Sequence, residues 1–146
     1  MPHIPFYRQQ TAWTCGAACV RMVFASQGIT KSEQAWAKEL KTKKTESGTL
    51  HKQMVAVAEK YKRTYIVARN ASIRDVQRLL KQGYGVIIGY FLVDHNCGHY
   101  AVVKNVNTKI HLLDPWYGSK HAYTIEQFKK IWHDGEGEKG WFIGMK

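Results

Sequence analysis

Three residues able to act together on a carbonyl stand in three different surroundings of this sequence. They are Cys15 in Gln9-Gln10-Thr11-Ala12-Trp13-Thr14-Cys15-Gly16-Ala17-Ala18, His99 in Gly98-His99-Tyr100, and Asp114 in Leu113-Asp114-Pro115. Cys15 ends a polar, irregular lead-in and opens a helical pattern, so its thiol would stand at the positive end of a helix, where the reactive thiolate is favoured. An imidazole can take the thiol proton and hand it on, and a carboxylate can hold that imidazole in the tautomer the transfer needs. Cysteine, histidine and carboxylate on separate elements are the parts of a thiol-dependent acyl-transfer centre.

Accessory groups lie beside each of the three. Gly16 removes a side chain next to the thiol, which lets a substrate carbonyl approach and lets backbone N–H groups face a developing oxyanion. A glutamine amide on the lead-in can add a donor; Gln9 and Gln10 both qualify, and both also read as surface polar residues. Trp13, Gly98 and Trp116 with Tyr117 are candidates to line a substrate cleft, and the aromatics read equally well as core or lid packing. A binding-module alternative uses Cys15-x3-Cys19 with Cys97-x-His99 as four zinc ligands, although these spacings are untypical of zinc knuckles and leave Asp114 without a role. A scaffold that binds peptides without turning them over is a further alternative.

The elements that must position these residues follow from periodicity. Cys15, Cys19, Met22 and Val23 fall on one helical stripe that Gly28 stops. Thr30-Lys31-Ser32-Glu33 has capping-box spacing and predicts a helix from Lys31 to about Leu40, followed by a loop over 41–48. Leu50, Met54, Val57, Ala58 and Tyr61 predict a third helix, Thr64 to Ala68 a short strand, and Ser72 caps a fourth helix that runs to Gln82-Gly83. The period then changes to that of strands over Gly85–Val93, His99–Val106 and Lys109–Asp114. A hairpin of the last two would make His99 and Asp114 cross-strand neighbours. Thr124-Ile125-Glu126-Gln127 opens a short helix, and Trp141 to Met145 is a closing strand. Helices first and antiparallel strands after them predict an α+β fold.

Bulk properties narrow the partners. With 146 residues and 45% hydrophobic content, one domain spanning 1–146 is expected. The longest apolar run, Val86 to Val93, is far below the roughly 20 residues of a membrane span. Without a signal-peptide pattern, and with three cysteines, too few for a disulfide framework, the expected location is the cytoplasm. A net charge of +11 is spread over helix faces, Lys38, Lys60, Arg74 and Lys130 among them, with no nucleic-acid-binding signature, so no specific nucleic acid is expected; the charge reads as solvation or as steering of an acidic substrate.

Gln9-x5-Cys15-Gly16-x-Ala18, Gly48-Thr49 ahead of a helix, Gly98-His99-Tyr100 and Leu113-Asp114-Pro115 together resemble the papain-like C39 peptidases, the double-glycine peptidases that cleave leader peptides from bacteriocin-type precursors. The resemblance runs over nearly the whole chain. It implies a papain-like cysteine peptidase fold, N-terminal helices packed on a C-terminal antiparallel sheet, acting on a peptide or isopeptide bond of a peptide or protein substrate. It also implies Cys15 as nucleophile, His99 as general base and acid, Asp114 as orienting carboxylate and Gln9 as oxyanion donor, with no metal or other cofactor. Phytochelatin synthases share a similar Gln…Cys-Gly arrangement, which keeps an acyl or peptidyl transferase open. Leader-processing members are usually fused to an ABC transporter, whereas this sequence has neither membrane helices nor a phosphate-binding glycine loop. A transporter partner would be a separate chain. Thr14 also stands where the fused members commonly have an acidic residue.

Overall fold

The stripe that begins at Cys15 forms the helix its spacing predicts. Helix α1 (Cys15–Ser26) starts at the cysteine itself and buries Cys19, Met22, Val23 and Phe24, and the chain leaves it through Gly28 at φ 84°, a conformation open to glycine. The computed structural model describes residues 3–45 and 48–146; of the loop expected over 41–48, residues 46 and 47 lie outside the described residues.

Helix α2 (Glu33–Glu39) begins later than its sequence suggests. Ser32, not Thr30, is the cap and accepts from Ala35 N–H. Glu33 does not reach back to a cap, because its carboxylate accepts from the backbone N–H of Gln10 at 3.2 and 3.0 Å. Helix α3 (His51–Lys60) and strand β1 (Tyr65–Ala68) follow. Helices α4 (Ile73–Lys81) and α5 (Ile125–Ile131) both start at complete capping boxes, Ser72 with Asp75 and Thr124 with Gln127.

Strands β2 (Gly85–Leu92), β3 (Cys97–Val106), β4 (Lys109–Asp114) and β5 (Gly118–Thr124) form an antiparallel meander. Strand β5 carries no clear alternation, and its residues are mostly half-buried at the sheet edge. Strand β6 (Phe142–Met145) returns between β2 and β1, pairing Ile143 with both Ile87 and Val67. The sheet order is β1-β6-β2-β3-β4-β5, so one strand from the helical half joins the sheet. The architecture is α+β, with N-terminal helices packed on an antiparallel sheet.

Each face of the sheet has its own core. Phe24, Trp36, Leu40 and Met54 from α1–α3 and the α2 C-cap pack with Val102, Leu113 and Ile143. Val76 and Leu79 of α4 and Phe128 of α5 pack with Ile88, Tyr90, Ala101, Val103, Ile110 and Leu112.

A bulge in β3 decides which face Asp114 meets. Val106 pairs with Ile110 and Asn105 with His111, but Val103 pairs with Leu112 and Val102 with Leu113, so Lys104 is the extra residue. Without that residue Asp114 would fall opposite Val102 and point toward α1, since a one-residue slip reverses every side chain. With it, Asp114 follows Ile110 and Leu112 to the face that also receives Ala101 and, two residues away, His99. Among the described residues no helix is long and apolar enough to cross a membrane.

Candidate active site

Asp114 ends β4 fully buried, and four donors surround it. Oδ1 accepts from His99 Nε2 at 2.9 Å and from the backbone N–H groups of Trp116 and Tyr117 at 2.9 and 3.0 Å, while Oδ2 accepts from the Tyr90 hydroxyl at 2.5 Å. Burial works to raise its carboxyl, but the His99 imidazole and the hydrogen bonds from Tyr90 and Tyr117 outweigh it and hold the value below the ordinary one. A carboxylate so satisfied stays ionised. The Tyr90 hydroxyl is pushed well up by burial and by Asp114, so it stays a donor.

An ionised carboxylate can only accept, so His99 Nε2 carries the proton it shares with Asp114, and Nδ1 is left for other partners. His99 is 6% exposed, and its ring meets Tyr90 edge-on with centroids 5.5 Å apart. Burial lowers the basicity of the imidazole, but the electrostatic pull of Cys15, the bond to Asp114 and a hydrogen bond to Cys15 push it up to about 10.

Cys15, half-buried, is the first residue of α1. It lines a cleft of about 530 Å³ together with Gln9, Trp13, Gly98, His99 and Trp116. Gln9 is tied by its backbone N–H to Pro115 O at 3.0 Å, next to Asp114 in sequence. Its amide donates one hydrogen to Thr11 O at 2.7 Å, leaving the second hydrogen without an assigned acceptor. Gln10 is exposed and is not among the cleft's lining residues.

Gly16 lies behind the cleft. It is buried and does not line the cleft; a Cβ there would stand 2.8 Å from both Cβ and Oγ1 of Thr49 and 3.3 Å from Met54 Cε. Its missing side chain lets α1 approach the segment that leads into α3. The zinc alternative has no geometry: Cys19 is fully buried in the α1 core with burial pushing its thiol up, and among the described residues no three His, Cys, Asp or Glu side chains are grouped as a metal site requires.

Several cleft residues escaped the reading by motif. Tyr90 lies in the middle of an apolar strand, where its hydroxyl is the one polar handle. His51, at the start of α3, stacks on Trp141 with centroids 4.0 Å apart and bonds Tyr100 Oη through Nδ1 at 2.6 Å. Tyr100 in turn donates to Thr49 O at 2.8 Å, so α3 is fastened to β3 beside His99. Burial lowers the His51 imidazole against the pull of Glu138 and Asp134. Asp134 and Glu136, in the glycine-rich loop before β6, complete one wall.

Residues 1–138 match the Peptidase_C39 like family. Solved structures with the same fold include the peptidase domain of Streptococcus ComA, a bifunctional ABC transporter involved in a quorum-sensing pathway, at 21% identity over 98% of each chain with a TM-score of 0.78. A chain described as a C39-like peptidase from Bacillus anthracis is 16% identical over 100% of this chain and 96% of its own, with a TM-score of 0.79. A double-glycine motif protease from an AMS/PCAT transporter, solved in complex with its leader peptide, is 19% identical over 99% of this chain and 92% of its own, with a TM-score of 0.71. No curated protein matches the chain.

Proposed function

The chain belongs to the Peptidase_C39 like family, and from that premise we propose that it is a cysteine peptidase in which Cys15 attacks, His99 moves the proton, Asp114 orients His99, and Gln9 with the Cys15 N–H receives the oxyanion. The observation that carries the reading is the buried His99–Asp114 hydrogen bond of 2.9 Å at a cleft that also holds Cys15 and Gln9.

With the thiol proton held on His99 Nδ1, the thiolate adds to the substrate carbonyl carbon to give a tetrahedral oxyanion. Gln9 Nε2–H and the Cys15 N–H stabilise that charge in a partly desolvated cleft. His99 gives its proton to the departing amine, the C–N bond breaks, and a thioester remains. Water then loses a proton to His99 and attacks the thioester, and Cys15 leaves with the acid released.

The proposed substrate is a peptide or protein segment that enters between Trp13 and Trp116. Leader peptides, bound by one relative of this fold, are the first class to try. A library of peptides bearing thiol-directed warheads tests the reading. Labelling should fall on Cys15, show a sequence preference, and disappear in His99→Ala as well as Cys15→Ala; labelling indifferent to His99 overturns it.

A further inference from the structure

Glu33 is a buried carboxylate that these steps do not use. It is 1% exposed although it stands in the first turn of α2, whose cap is already supplied by Ser32. Taking a carboxylate out of water is costly unless its bonds repay it. Its two oxygens both face the Gln10 backbone N–H, at 3.2 and 3.0 Å. Burial pushes its carboxyl up, and the Gln10 N–H, the Thr14 hydroxyl and the charge of Arg21 pull it back.

Gln10 follows Gln9, and Thr14 precedes Cys15. One side chain from another helix thus holds the start of the segment between the donor and the nucleophile. That segment has no regular structure of its own. Its internal bonds are local, Thr11 N–H to Thr14 Oγ1 at 3.1 Å and the two threonine hydroxyls at 2.8 Å. Outside anchors are the Gln9 N–H bond to Pro115 O and the Gln10 N–H bond to Glu33.

We propose, resting on the reading of Gln9 and Cys15 given above, that Glu33 is a positioning residue for the reaction: by holding the Gln10 N–H it sets where the Gln9 amide stands relative to Cys15. The bond asks for an acceptor at the right reach and not for a negative charge. Glu33→Gln supplies such an acceptor, Glu33→Asp withdraws it by one methylene, and Glu33→Ala deletes it.

Three rates separate this role from a structural one: peptide turnover, capture by a peptide aldehyde, whose adduct places an oxyanion in the donor site, and alkylation by iodoacetamide, which does not. Glu33→Ala and Glu33→Asp should lose about 10- to 100-fold in kcat with KM nearly unmoved, since small displacements of an aligned donor cost that much. Aldehyde affinity should fall by the same factor, iodoacetamide alkylation should stay at the wild-type rate, and Glu33→Gln should remain within about threefold of wild type. Wild-type turnover in Glu33→Asp, a Glu33→Gln as poor as Glu33→Ala, or alkylation that falls in step with kcat would each overturn the proposal while leaving an active peptidase. Should Glu33→Ala fail to fold by circular dichroism, the Asp and Gln variants decide. A wild type that neither cleaves peptides nor captures the aldehyde overturns the peptidase reading itself.

Discussion

His99 and Asp114 stand on neighbouring strands, where four donors converge on one buried carboxylate, whereas Gln9 and Cys15 stand on an irregular lead-in and a helix start, held by a few bonds to Thr11, Pro115 and Glu33. On the sheet side the protonation state of the His99–Asp114 pair is part of the fold's own polar satisfaction. On the lead-in side, fewer and mostly local bonds set the geometry. A peptidase built this way should lose stability and activity together when the first side is cut, and activity alone when the second is.

Cutting the sheet side has the largest expected effect. Asp114→Ala strands the Tyr90 hydroxyl, two backbone N–H groups and His99 in a buried place, so urea unfolding should show a loss of about 3–5 kcal/mol. Turnover should fall on the order of 10⁴-fold, as when the orienting group of such a triad is lost. An unchanged unfolding midpoint would mean that the sheet side is not built into the fold as described.

Gln9→Ala tests the other side. Turnover should drop by about 10²–10³-fold, the usual cost of one oxyanion donor, while stability changes by no more than about 1 kcal/mol, the worth of its bond to Thr11. Gln10→Ala should match wild type, because only its backbone N–H is engaged. The reverse order of the two glutamines would sink the donor assignment.

Much of this was legible before the fold was known, and the divide follows how local each signal is. The caps at Ser72 and Thr124 are complete within four residues, so their helices start where the sequence says. Thr30 lost its cap to Ser32 because Glu33 was drawn to Gln10, a partner 23 residues away. That β3 and β4 are neighbours follows from a short hairpin, but Leu113 pairs with Val102, so Asp114 stands diagonal to His99 and not directly across from it, and the Lys104 bulge that turns both side chains to one face has no motif. Tyr90 reaches Asp114, and Glu33 reaches the Gln10 N–H, from elements far off in the chain. Strand β5, half-buried at an edge, carries little period to read, and the insertion of β6 beside β1 is purely tertiary.

Proton affinity joins the two sides. His99 is held at about 10 against an ordinary 6.5, so its charged form contributes stability that is fully present below about pH 6.5 and is lost as pH rises toward 10. Asp114 is lowered from 3.8, so its contribution is present above pH 3.8 and is lost as pH falls through the lowered value. Cys15→Ser removes the neighbour that, against burial, does most to raise His99. Its imidazole resonances should then titrate at lower pH, and the alkaline loss of stability should begin earlier. A His99 midpoint indifferent to the substitution would show that nucleophile and base are not coupled.

The smallest expected effects set two glycines against each other. At Gly16 a methyl group would strike Thr49, whose hydroxyl is itself tied to Thr42 at 2.7 Å, so Gly16→Ala should cost about 1–3 kcal/mol as overpacking does. At Gly98 a Cβ would meet only Asp134 O at 3.8 Å, so Gly98→Ala should leave stability within about 0.5 kcal/mol. What Gly98→Ala should move is KM, because the added methyl projects into space that a bound peptide would occupy beside His99. Beside the nucleophile the glycine then serves the packing of helix on loop, and beside the base it serves access. Equal thermal midpoints for the two variants, or a Gly98→Ala whose KM is that of wild type, would erase the distinction.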